Sequence, residues 1–171
     1  MACELTGSYT LGCADSIGGL RTIYISTHNN ITSYAETGAV ISAITQEGST
    51  NFYKYDLEKE NGMASEVQTK DVANSTNFYE GSLTFSMNKL DVANRNNISM
   101  LALNSLFIIY EDMNGAYWTM GQDNGADLTT STGATGQAFG DRSGHELTFV
   151  SKEKFAKLEV PQSVIDTLTV G

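Results

Sequence analysis

The densest group of oxygen ligands in the sequence is Asp123-Asn124-Gly125-Ala126-Asp127, which sets carboxylates around a glycine as calcium loops do. It lacks the alternating spacing and the terminal bidentate glutamate of an EF-hand, so it reads as an acidic turn. The two histidines, His28 and His145, have no cysteine at metal spacing and no nucleophile in a motif beside them, and they read as polar loop or strand residues. Gly133-Ala134-Thr135-Gly136 is glycine-rich but precedes no convincing helix, so it reads as a loop and not a phosphate cradle. Glu58 and Glu60 share one side of a strand pattern, which describes a solvated acidic face more simply than an acid–base pair. No G-x-S-x-G elbow, Walker loop or H-E-x-x-H occurs. The expectation is a protein without catalytic residues, metal or cofactor.

Composition narrows the class further. Ten Lys and Arg against twenty Asp and Glu give a formal charge of -10, and no basic cluster is present to grip phosphates. Stable nucleic-acid binding is therefore not expected, although a surface that lets DNA slide past profits from the same repulsion. No apolar stretch approaches the length of a membrane helix, and nothing before Glu4 resembles a signal peptide, so the reading is a chain made in the cytoplasm with no membrane partner. Cys3 and Cys13 lack the companions of a zinc site and read as two small buried residues.

The elements that must position these residues are mostly strands. Leu20 to Ser26 follows Gly18-Gly19 as a β-branched and aromatic run; His28 to Asn30 is a polar break, and Ala39 to Ile44 is a second apolar run. Phe52 to Glu60 alternates, with Lys54, Asp56 and Glu58 wet and Tyr53, Tyr55 and Leu57 dry. Gly62 to Asn74 reads as a weak or edge strand. From Tyr79 to Met87 the period of two is the cleanest in the chain. At Asn88 the period changes: Asn88 or Asp91 is placed to cap a helix running to about Leu103, with Ile98, Leu101 and Ala102 as its apolar stripe. Leu106 to Glu111 and Ala116 to Met120 form a hairpin reversing at Asn114-Gly115. Residues 121–144 are rich in Gly, Thr, Ser and Ala and read as one long loop, punctuated by Leu128 and Phe139. His145 to Lys152 is a last strand, and 155–171 reads as a C-terminal docking tail. The whole chain is expected to form a single mainly β domain, a sandwich or barrel with one flanking helix at about 88–103.

Several local strings carry a family likeness: Asp15-Ser16-Ile17-Gly18-Gly19, Asn88-Lys89-Leu90-Asp91, Asn114-Gly115-Ala116-Tyr117-Trp118, Gly125-Ala126-Asp127-Leu128-Thr129, Gly140-Asp141-Arg142-Ser143-Gly144, and Leu147-Thr148-Phe149 ahead of Lys152-Glu153. With the order of elements they resemble the tail tube (major tail) proteins of long-tailed bacteriophages, particularly those infecting Bacteroidetes. The resemblance implies a virion structural protein whose copies join into six-membered rings. Stacked rings would form a hollow tube, through which the genome passes without being bound. Other virion proteins are the remaining partners, and Asp127, Leu128, Phe139, Asp141 and Arg142 are the residues expected at subunit contacts. Head decoration and head-to-tail connector proteins share similar strand–helix–strand patterns and stand as the alternative within the virion. A monomeric carbohydrate-binding β-sandwich, using Trp118 or some of the eight tyrosines as stacking faces, is the alternative outside it.

Overall fold

The computed structural model describes residues 7–171, so Cys3 lies outside the described residues. Eleven strands follow in chain order: β1 (Leu20–Thr27), β2 (Ile31–Thr37), β3 (Val40–Gln46), β4 (Tyr53–Asp56), β5 (Gly62–Asp71), β6 (Thr76–Asn88), then β7 (Leu106–Asp112), β8 (Tyr117–Met120), β9 (Ala126–Ala134), β10 (Gly144–Glu153) and β11 (Glu159–Val160). Helix α1 (Val92–Leu103) lies between β6 and β7, and a single turn, α2 (Gln162–Ile165), follows β11. The chain is mainly β with one flanking helix.

The organising strand is β7, Leu-Phe-Ile-Ile-Tyr-Glu, in which six successive residues are buried. A strand exposes alternate residues to opposite faces, so a run this apolar must be covered on both. Leu106, Ile108 and Tyr110 face a core shared with Ile23 and Ile25 of β1, Leu83 and Phe85 of β6, and Leu147 and Phe149 of β10. Phe107 and Ile109 face the other way, onto Ile41, Phe52, Tyr117 and the C-terminal Leu158, Val160, Val164, Ile165 and Leu168. The sheet order is β2-β3-β11-β8-β7-β9-β10-β6-β5, with β1 and β4 branching from the other edge of β7. β7 meets β9 only at Leu106–Ala126, which lets the sheet fold over so that β6 and β10 pack on β1 and β7. Phe85 and Phe149 stack there at 5.8 Å.

The helix begins as its sequence dictates. The Asp91 carboxylate accepts from the Asn94 N–H at 2.7 Å, the side-chain cap that a helix N-terminus requires. Ile98 and Leu101 are buried, whereas Ala102 is exposed because the stripe contacting the sheet is only two side chains wide. The C-terminal segment supplies β11, which lies between β8 and β3, and so covers the second face of β7.

Three expectations are corrected. Residues 121–144 are not one loop: Ala126–Ala134 is a strand laddered to β10 over its length, which leaves a short turn at 121–125 and an irregular stretch at 135–143. From Thr129 onward β9 is exposed on both faces, so no apolar alternation marks it; backbone hydrogen bonding alone sustains it. β2 is likewise polar, held by its ladder with β3. Cys13 is exposed rather than buried, since the segment before β1 lies on the surface. Tyr53, expected on the dry side of β4, is 57% exposed, because α1 covers Tyr55 but stops short of it.

Candidate functional site

The structure separates the five residues chosen from sequence into two places. Asp127 and Leu128 begin β9, and Leu128 packs partly against the first core. Phe139, Asp141 and Arg142 lie in the β9–β10 connection. At 3.3 Å per residue the length of β9 holds the two groups roughly 20 Å apart. The connection is ordered by its own side chains. The Asp141 carboxylate accepts from the N–H groups of Gln137 (3.0 Å) and Ala138 (2.8 Å), which draws the carboxyl below the usual range. Arg142 pairs with Glu146 at 3.0 Å. Phe139 touches nothing that shields it and is fully exposed at the tip. Among the described residues it is the most exposed large apolar side chain.

The ligand-like spacing at 123–127 serves a turn between β8 and β9. The Asp123 hydroxyl partner is Tyr34, whose OH donates to the carboxylate; burial and that hydrogen bond push the Tyr34 phenol up. Behind the turn lies Glu153, 5% exposed, accepting from the N–H of Asn124 at 3.2 Å and of Asp123 at 3.3 Å. Burial raises its carboxyl to about 7, against the pull of those backbone hydrogen bonds. Thr119 donates to Gln122 at 2.6 Å and accepts from the Leu158 N–H, while Gln122 donates to the Ala156 carbonyl. His28 is hydrogen-bonded through Nε2 to the Gln122 carbonyl at 3.2 Å. No sequence motif announces this network, because its members come from β8, β10 and the C-terminal segment.

Glu153 near neutrality has the proton affinity of a general base. The cavity beside it, lined by Glu66, Tyr110, Ser151 and Lys157 among others, holds only about 10 Å³, the room of one water molecule. The network acts as a latch that ties the β8–β9 turn to β10. Among the described residues no three His, Cys, Asp or Glu side chains gather as a metal site. Trp118 is not a free stacking face: its Nε1–H donates to Asp112 at 3.3 Å and the Lys157 ammonium lies 4.9 Å from its ring centre.

What remains open on this molecule is its backbone edges. β5 at one end of the sheet order, β2 at the other, and β4 beyond β1 each pair on one side only. β5 is the longest of the three, ten residues without proline, with Met63 and Val67 exposed. No family model, curated protein or solved structure matches the chain.

A second surface feature escaped the sequence. A groove of about 330 Å³ opens between the C-terminal half of α1 and strands β1 and β4. Ile25, Leu101 and Leu106 form its buried floor, and Tyr53 and Met100 are its exposed walls. Asn97 beside it is engaged by Tyr55, donating to the phenol oxygen at 2.8 Å. The signal existed only as Met100, a long apolar side chain off the helix's buried stripe.

Proposed function

We propose that the chain is a virion structural protein, the tail tube subunit of a long-tailed bacteriophage, which joins copies of itself into stacked rings around a conduit for the genome. The observation that carries this reading is the set of unpaired edges, above all the ten-residue edge of β5. An exposed, unbroken strand edge invites pairing with another chain, and proteins that stay single blunt such edges with charged side chains, proline, bulges or a covering element; on β5 the charges are Glu66 and the last two residues, Lys70 and Asp71. β5 pairs with β6 in continuous register from Gly62 to Asp71 with no bulge. Its backbone is thus a template for a neighbour. Two further features support the reading: the formal charge of -10, which suits a passage that must not retain DNA, and the projecting β9–β10 connection.

Negative-stain microscopy of the purified chain tests it. Rings or tubes support the proposal, and particles that remain single at high concentration refute it. Binding to assembled capsids without self-assembly would instead indicate a head decoration protein.

A further inference from the structure

The exposed Phe139 and the open groove beside α1 lie at opposite ends of the same helix. Lys89, just before α1, donates its N–H to the Ser143 carbonyl at 2.8 Å, and Leu90 lies against Gly133, so the base of the β9–β10 connection is tied to the helix N-terminus. The groove is lined by Asn97, Met100, Leu101 and Asn104, at the other end. Twelve helical residues separate these ends by about 18 Å. Phe139 therefore stands away from the groove of its own chain, and any phenyl ring that fills it comes from elsewhere.

We infer that the groove receives Phe139 of a second copy, in a head-to-tail contact between subunits. The inference rests on the self-assembly reading for its partner and adds where the copies meet.

Shape and charge both fit this pairing. The tip, Thr135-Gly136-Gln137-Ala138-Phe139-Gly140, contains no charged residue, and no charged residue lines the groove. On a molecule of formal charge -10, most pairs of surfaces brought together confront acidic side chains. Knob and groove meet without desolvating a charge, which is the cost that ordinarily offsets burial. The carboxylate nearest the tip, Asp141, is already engaged by the Gln137 and Ala138 N–H groups. The groove has the volume of small-ligand clefts, and its apolar floor and aromatic wall suit a phenyl ring.

Made once between two copies, the contact is heterologous: each copy that donates its knob still offers its groove, and growth continues until geometry closes it or a stack results; made reciprocally about a two-fold axis, it would close a dimer.

Crosslinking of the full chain tests this directly. In a background carrying Cys3→Ser and Cys13→Ser, the double variant Ala138→Cys with Met100→Cys, which keeps the Phe139 ring, is treated with a short bismaleimide. A ladder of dimers, trimers and larger species on a denaturing gel is expected, with no ladder from either cysteine alone. Both positions are exposed, so the substitutions leave the fold intact, which an unchanged thermal midpoint checks. Phe139→Ala should raise the concentration needed for assembly on the order of 10- to 100-fold, the loss of one buried aromatic side chain. Absence of a ladder, or dimers from Ala138→Cys alone, overturns the proposed contact. If wild-type protein forms rings or tubes while Phe139→Ala assembles equally well, the contact is wrong and the self-assembly reading survives. Wild-type protein that stays single refutes both.

Discussion

Replacing Glu153 by Gln should flatten the stability of this protein between pH 4.5 and 7. The carboxyl is raised from its ordinary value of 4.5 to about 7 by burial behind the β8–β9 turn, with the Asp123 charge as a lesser contribution in the same direction. Between those two pH values the folded chain holds a proton at Glu153 that the unfolded chain has released, so stability falls as pH rises through the window. A shift of about 2.5 units corresponds to about 3 kcal/mol, complete above pH 7 and absent below pH 4.5. Gln keeps an oxygen to accept from the Asn124 and Asp123 N–H groups and does not ionise. Urea unfolding followed by Trp118 fluorescence, at intervals from pH 4.5 to 8, gives the free energy of each protein. Subtracting variant from wild type removes the titration of the carboxylates that both share. The difference should move by about 2–3 kcal/mol against the wild type as pH rises. A difference independent of pH would show that Glu153 stays ionised and hydrated in the folded protein, and the latch described above would be wrong.

Two further substitutions probe the local physics. Gly121→Ala should destabilise by about 2–4 kcal/mol in urea unfolding, since φ is +75° and the new Cβ would lie 2.5 Å from the Ala126 nitrogen and 2.6 Å from the Leu106 carbonyl oxygen; a loss under 0.5 kcal/mol would mean that the turn re-forms without strain. Asp91→Ala removes the cap of α1 and should cost about 1 kcal/mol, with Asp91→Asn retaining most of it, as read by the helical signal in circular dichroism melts.

The strands that face a core were legible because burial writes itself as pattern. β6 alternates, β7 is a continuous apolar run, and the Asn114-Gly115 reversal, with Gly115 at φ +87°, follows from residues only that turn accepts. The helix start was equally local, since Asp91 caps a nitrogen three residues away. β2 and most of β9 left no such trace, because β2 packs only Ile31 and Tyr34 against the core and β9 is exposed on both faces beyond Leu128, so backbone partners on other strands hold them. The same reason hid the latch: Glu153 sits in sequence beside Lys152 and Lys154 like any surface charge, and only the packing of β10 behind the β8–β9 turn buries it. Sequence by itself determined a mainly β chain with one capped helix and a net acidic charge. Tertiary structure alone decided which edges stay unpaired, that Phe139 stands free at a tip, and that a groove opens at the far end of α1, because each depends on segments distant in the chain being brought together or held apart.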